Sequence, residues 1–346
     1  MKDTLVIFDV FPFLHIGEYV YNKYDNKVNG KMPCNGILYL LKRLSSELSY
    51  YKDVVLTFDS KSFRKDLDSN YKSNRRPNNT IASQAELLYE LLPKAGIACY
   101  KKDKYEADDL IYNIVNANKD LYNHIHILGT DYDLTHSIIK PSIEFRSISS
   151  QVHSVTEQTF PYIMYDDMYL MYNTISAYKV FCGDNSDNVK KFKTSDGKYT
   201  GRDLYNLYVK ALQKQQLSPE KTRSRSMLEY FINCTKQLYS VSDLAELKHR
   251  MDLVFPLADN SEDWTLTSSI RNYNKKTYLE LLRIFEDQVS AKSLGTRVYT
   301  VNINPELLNI VSAMGDRLIS GEFAADNSRS IRKNPINIDM KMCKEF

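Results

Sequence analysis

No apolar run in this 346-residue chain approaches the roughly 20 residues that a membrane-spanning helix needs. The first run, Leu5–Phe8, stops at Asp9, too soon for the apolar core of a secretory signal. Cysteine is scarce as well. Cys34, Cys99, Cys182, Cys234 and Cys343 are odd in number, widely scattered and never spaced as Cys-x-x-Cys, which argues against a disulfide framework and a thiolate zinc site. A soluble protein of a reducing cytoplasm is the expectation, with no membrane partner. Nor is there a large excess of either charge: at a formal net charge of +3, attraction to an anionic partner has to come from where the charges lie. The hydrophobic fraction of 43% excludes wholesale disorder, and the length suffices for one large domain or two smaller ones.

What is present is an alternation of short apolar strands and helical stripes. Leu5–Phe8, Val54–Phe58, Ile97–Tyr100 and Ile125–Leu128 read as strands of a parallel sheet covered on both faces. Ile37, Leu41, Leu44 and Leu48 keep a helical spacing between the first two. Ser83 and Glu86 are spaced as a capping box ahead of Leu87, Leu88, Leu91 and Leu92, with Gly96 placed to end that helix. Ala107, Leu110, Ile111 and Ile114 give a third helix. Strand–helix–strand order of this kind predicts an α/β domain. From about Met164 the spacing predicts helix through Met168, Met171, Ile175, Tyr178 and Phe181, then a mainly helical remainder and a polar tail after about Ala324.

The acids fall at strand ends. Asp9 follows the first strand, Asp59 the second, and Asp131 with Asp133 the fourth, so all four meet at the carboxyl edge of a parallel sheet, where open α/β folds place their sites. "YEADD" adds Glu106, Asp108 and Asp109 at a helix start. Glu106 and Asp108 are two apart, roughly 200° around a helix, so both face one site only if Glu106 stands in the entry loop. Asp131 and Asp133 need a turn starting at Thr130 or Asp131 for the same reason. "GDNSDN" contributes Asp184 and Asp187. Any one of these acids alone reads as a cap or a solvated charge. Together they read differently, because two carboxylates about 4 Å apart repel by roughly 4 kcal/mol at an effective dielectric near 20, so a cluster calls for cations between them. Oxygen ligands without a Cys or His cluster select hard ions such as Mg²⁺ or Mn²⁺, the pair used for displacement at phosphorus.

The ordered series "LVIFD", "FDSKSFRKDLDSNYKSNRR", "YEADD", "GTDYD" and "GDNSDN" resembles the flap endonuclease/5′→3′ exonuclease family, most closely its bacteriophage members, over about residues 1–190. The resemblance implies a PIN-like α/β catalytic domain at 1–183 with a central, mainly parallel sheet. A basic arch follows at about 60–80, and a mainly helical DNA-binding region at 184–346 opens on a degenerate helix-hairpin-helix-like segment at about 184–212. It implies two Mg²⁺ ions, replaceable by Mn²⁺, held by Asp9, Asp59, Glu106, Asp108, Asp109, Asp131, Asp133, Asp184 and Asp187, with Asp9 and Asp131 at the reaction centre. Lys72 and Arg75 of "YKSNR" would contact the scissile phosphate. Between Lys61 and Arg76 six basic residues stand against two acids, a local excess suited to a phosphate chain, with Arg64, Tyr71 and Arg76 joining Lys72 and Arg75 as nucleic-acid contacts. Asn188–Ser226 carries ten Lys/Arg against three Asp/Glu, placing Lys190, Lys191, Lys193 and Lys198 on a duplex, although the Gly-x-Gly spacing of the family's hairpin and its monovalent-ion site is missing.

The implied function is a structure-specific 5′ nuclease in DNA replication or repair. Its partners would be DNA with 5′ flaps, nicks or gaps and RNA–DNA hybrids, together with replication proteins such as a single-strand-binding protein or a sliding clamp. Its place would be the cytoplasm, that of the host if a phage encodes it. Two alternatives share parts of the pattern: a PIN-like ribonuclease for single-stranded RNA, and a catalytically silent nucleic-acid-binding replisome protein. The basic arm and "GDNSDN" oppose the first, and the complete acid set opposes the second. An aspartyl-nucleophile phosphatase would want an acid at position 11, which is Phe11.

Overall fold

Leu5, Val6, Ile7 and Phe8 are all fully buried because the first strand, β1 (Lys2–Asp9), lies inside a sheet with helices over both faces. In this computed structural model the described residues are 2–21, 27–28, 32–76, 78–140, 142–147, 154–155, 162–165, 168–215, 224–266 and 273–290, with a few positions between 306 and 313. On one side β1 pairs in parallel with β4 (Asp53–Thr57), which pairs with β5 (Ala98–Tyr100). On the other it pairs with β6 (Tyr122–Gly129), followed by β7 (Ile143–Ser147). A short β8 (Ser154–Val155) joins this edge antiparallel. The α/β class with a central, mainly parallel sheet is what the strand spacing predicts. Two further pairs, β2 (Lys27–Val28) with β3 (Met32–Pro33) and β9 (Tyr162–Tyr165) with β10 (Met168–Met171), stand apart as antiparallel ladders.

Strand alternation divides the core into two layers. Val6, Phe8, Val54 and Leu56 face α1 (Val10–Val20), α2 (Asn35–Tyr50), α4 (Asn79–Leu91) and, from far along the chain, α10 (Lys275–Ser290). Leu5, Ile7, Val55 and Ile127 face the opposite way, into a cluster built by α5 (Ala107–Asn118), α6 (Ile175–Cys182), α7 (Gly201–Gln215), α8 (Arg225–Cys234) and α9 (Val241–Val254). Each fully buried Leu, Ile, Val or Phe contributes on the order of 1.5–3 kcal/mol. The helices on both sides of residue 183 therefore share one apolar cluster, and the late helix α10 closes the other layer. Among the described residues no helix is long and apolar enough to cross a membrane.

Two local expectations are corrected. Met164 and Tyr165 pair with Tyr169 and Met168 in the β9–β10 ladder, which Met171 ends, and α-helix begins only at Ile175. Tyr162–Tyr165 and Met168–Met171 are aromatic and apolar runs around Asp166 and Asp167, a pattern strands satisfy as readily as a helix face. The capping box at Ser83 is also absent. The helix starts a turn earlier, capped by Asn78, whose Oδ1 accepts from the Ile81 N–H at 3.3 Å, while the Ser83 hydroxyl bonds back to the Asn79 carbonyl inside the helix. Gly96 ends the following 3₁₀ turn in the left-handed conformation, as placed.

The turn into α7 leaves no room for a side chain. A Cβ at Gly201 would lie 1.8 Å from the Phe181 carbonyl oxygen, and the Gly201 N–H bonds the Phe192 carbonyl at 2.8 Å. Gly201→Ala is expected to cost about 1–3 kcal/mol by forcing α6 and α7 apart, read as a lowered midpoint in thermal unfolding followed by circular dichroism. An unchanged midpoint would contradict this contact.

Candidate active site

The carboxyl edge of the sheet collects the acids by construction. Asp9 is the last residue of β1 and occupies the N-cap position of α1. It pairs in register with Thr57 of β4, so Asp59 lies two residues past the neighbouring strand end. On the other flank β6 ends at Gly129, where a Cβ would meet Leu134 Cδ1 at 2.3 Å and Asp9 Cβ at 3.5 Å, and Asp131 follows two residues on. Asp131 caps a 3₁₀ turn (Tyr132–Ser137), its Oδ1 accepting from the Asp133 N–H at 3.1 Å. That is the turn needed for both acids to reach one side. Asp59 Oδ1 accepts from the Ala107 N–H at 2.7 Å and ties its strand end to the first turn of α5. Glu106 is the N-cap of α5, in a reciprocal capping box with Asp109, and so stands in the entry to the helix.

Two groups of acids result: Glu106, Asp108 and Asp109, and Asp133, Asp184 and Asp187, each with oxygens within 4.8 Å of one another. Asp108, Asp133, Asp184 and Asp187 line a common cleft. Basic and phenolic groups bridge the two sets. Lys72 Nζ contacts Glu106 and lies 3.8 Å from Asp187, Arg75 contacts Asp187, and the Tyr71 hydroxyl is 3.0 Å from Glu106 and 3.1 Å from Asp187. Lys179, on an otherwise apolar helix, contacts both Asp133 and Asp184 and is only 3% exposed. The two turns that carry these groups are clamped together. The Lys72 N–H donates to the Asp187 carbonyl at 3.1 Å, Asn74 to the Asn185 carbonyl at 3.0 Å, and Asn188 to the Asn70 carbonyl at 3.1 Å. Lys72 (φ 52°) and Asn188 (φ 59°) both hold left-handed backbone, a strain such contacts must offset.

The charges do not balance among themselves. The six carboxylates of these two groups meet four cations (Arg64, Lys72, Arg75 and Lys179), which leaves two negative charges in excess. The excess shows in proton affinity. Burial, reinforced by Asp109 and Glu106, pushes the Asp108 carboxyl well up, and burial with Asp131 and Asp184 raises Asp133 to about 7 against the opposing pull of Lys179. Glu106 goes the other way: burial would raise it, but Lys72 and Arg64 bring it down to about 2. At Asp187 the same burial is outweighed by Lys72, Arg75 and Lys179, which hold it well below the usual range. An oxygen-only donor set with surplus negative charge is chemically fit for hard divalent cations.

Not every expected contact is where the charge pattern placed it. The basic segment after Asp59 does not stand away as an arch among the described residues. It passes through the one-turn helix α3 (Arg64–Leu67) and a series of turns against the acids. Arg64 and Tyr71, expected on nucleic acid, are buried at 1% and 3% exposure, held there by Glu106, one of the carboxylates expected on metal. Lys72 and Arg75 lie at the rim of the cleft, partly exposed, and Arg76 is exposed. Lys190, Lys191, Lys193 and Lys198 are exposed on the loop that follows Asp187. Sequence reasoning missed Lys179, whose one signal was a lone lysine inside "ISAYKVFC".

Residues 4–163 match the family model of the 5′–3′ exonuclease N-terminal, resolvase-like domain. The DNA polymerase I of Caldicellulosiruptor bescii is 25% identical over 300 residues, covering 84% of this chain and 33% of that protein. The 5′–3′ exonuclease of Buchnera aphidicola subsp. Acyrthosiphon pisum is 31% identical over 139 residues, covering 38% of this chain and 48% of that protein. The chain thus spans about a third and about half of the length of these two relatives. Among solved structures, the T5 D15 protein co-crystallised with metal ions superposes with a TM-score of 0.46 at 16% identity, over 83% of this chain and 98% of that one.

In chelator, the Asp133 carboxyl carbon should titrate near pH 7 by NMR, and Lys179→Met, which removes the opposing cation, should move that titration upward. A downward or absent shift would contradict the Lys179–Asp133 contact. Because its folded value lies above its ordinary one, Asp133 favours the folded state at low pH, and that contribution is lost as pH rises from about 4 through about 7.

Proposed function

We propose that this chain, whose residues 4–163 match the family model of the 5′–3′ exonuclease N-terminal domain, is a member of that family and a divalent-metal-dependent 5′ nuclease acting on branched or nicked DNA and on RNA annealed to DNA. The observation that carries the proposal is the surplus of carboxylate at one sheet edge, six acids in two close groups, four of them lining a cleft, with Lys72 and Arg75 against them. Mg²⁺, or Mn²⁺ in its place, would be held by Asp9, Asp59, Glu106, Asp108, Asp131, Asp133, Asp184 and Asp187 in two sets. When bound, two such ions supply a water nucleophile and charge neutralisation at the leaving oxygen.

The chain's own side chains do the rest. Lys72 stands between the two acid groups and Arg75 beside Asp187, where an ammonium and a guanidinium can meet the oxygens of a phosphodiester laid across the cleft and offset charge that builds up as the bond breaks. The clamp between the "YKSN" and "DNSDN" turns fixes their distance from the acids, so they need not be recruited from solvent. Lys179 keeps Asp133 and Asp184 together against their repulsion. The exposed lysines from Lys190 to Lys198 continue the positive surface beyond the cleft and suit the backbone of the flanking duplex.

End-labelled flap, nicked, single-stranded and RNA–DNA substrates test this directly. Cleavage is expected with Mg²⁺ or Mn²⁺ and none with EDTA; full activity in EDTA would overturn the metal reading, and binding without cleavage under any divalent ion would leave a silent nucleic-acid-binding protein. Asp133→Asn keeps shape and removes one charge, so it should bind flap DNA as the parent does and cut at least about a hundredfold more slowly, a barrier increase of about 2.7 kcal/mol. Lys72→Ala and Arg75→Ala should each lower kcat more than they weaken DNA binding, whereas equal losses would make them a simple tether.

A further inference from the structure

Arg64 is the largest fully buried side chain among the described residues, and none of its five N–H groups is left over. Nη1 donates to Glu106 Oε2 and Asp109 Oδ2, both at 2.8 Å, and Nη2 to Asp109 Oδ1 at 2.7 Å. The remaining donors reach across the molecule, Nε to the Leu253 carbonyl and Nη2 to the Phe255 carbonyl, each at 2.9 Å. Asp109 is filled in the same way. Its Oδ1 also accepts the Leu257 N–H at 2.7 Å and its Oδ2 the Glu106 N–H at 3.0 Å, so its four acceptor positions are occupied.

The carbonyls on Arg64 come from the last turn of α9, at Leu253, and from the start of a strap, residues 255–266, that runs on from it along α5. Asn113 grips it by accepting from the Asp259 N–H and donating to the Leu257 carbonyl, both at 2.8 Å. Asn118 repeats the arrangement one step further, with the Leu266 N–H and the Trp264 carbonyl, both at 2.9 Å. Asp109, Asn113 and Asn118 thus form a ladder of side chains on one helix that holds an irregular segment by its backbone.

We infer that Arg64 is a positioning residue, and that the strap, through it, sets the orientation of Glu106 in the metal centre. Asp109 serves as the fixed anchor of this unit and not as a ligand. Arg64, held in turn by the Leu253 and Phe255 carbonyls, and the Tyr71 hydroxyl take Glu106 Oε2, leaving Oε1 as the oxygen that meets Lys72. The C-terminal region therefore enters the chemistry through two backbone carbonyls, which no substitution at those positions removes and no side-chain motif announces. This inference rests on the metal reading above.

The test uses the full chain and Mn²⁺ alone as ligand. Arg64→Lys keeps the charge but cannot reach two carboxylates and two carbonyls, and Asn113→Ala loosens the strap from outside the site. Both are expected to weaken one class of Mn²⁺ site, titrated by electron paramagnetic resonance, by about tenfold or more. Both should lower kcat with Mg²⁺ while KM and flap binding in chelator stay as in the parent. Should Arg64→Lys fail to fold, Asn113→Ala decides alone. Lowered thermal stability with unchanged Mn²⁺ affinity would overturn the inference and make the unit purely structural. A parent that binds no Mn²⁺ would overturn the metal reading and this inference together, whereas binding in the parent equalled by both variants overturns only the inference.

Discussion

Crowded negative charge at the carboxyl edge of the sheet is the constraint from which the local structure follows. The parallel strands β1, β4 and β6 send Asp9, Asp59 and Asp131 to one edge because all three end there. Each close pair of ionised carboxylates costs about 4 kcal/mol at an effective dielectric near 20, so the edge folds only with compensation built in. That compensation is visible in three forms: buried cations at Arg64 and Lys179, rim cations at Lys72 and Arg75, and raised proton affinity at Asp108 and Asp133. Breaking a buried ion pair by removing one partner typically costs 3–5 kcal/mol, roughly. The acid cluster is thus held together by the same cations that place its oxygens.

This arrangement gives the late part of the chain two tasks. Helix α10 returns to the first layer, where Tyr278 and Phe285 are fully buried and the Tyr278 hydroxyl bonds the Leu41 carbonyl. Helix α9 and the strap after it cover the other side of α5. Lys102 helps to pin the strap, with Asp259 and Glu262 as ionic partners and its ammonium 4.8 Å from the Tyr105 ring centre. Residues far apart in sequence therefore share both the hydrophobic layers and the polar edge.

Much of this was legible in the sequence, for identifiable reasons. Strands buried on both faces appear as unbroken apolar runs, so β1, β4 and β6 and the acids at their ends could be placed from the order of residues alone. The entry position of Glu106 and the turn at Asp131 followed from helix and strand periods. The β9–β10 ladder did not, because Met and Tyr fit a helix stripe as well as a strand. The burial of Arg64 was not legible for a related reason. A run of Lys and Arg looks the same whether its members face solvent, phosphate or buried carboxylates, and the groups that bury Arg64 lie up to 191 residues away. Lys179 is the mirror case, a charge among apolar neighbours whose partners are set by the turn at Asp133 and the loop at Asp184.

On the function proposed above, the surplus carboxylates form a centre for divalent cations at this edge. Anomalous diffraction from crystals grown with Mn²⁺ tests it most directly. Two peaks are expected, one in contact with Glu106 and Asp108 and the other among Asp133, Asp184 and Asp187. Well-ordered crystals with saturating Mn²⁺ and no peak at either group would contradict it.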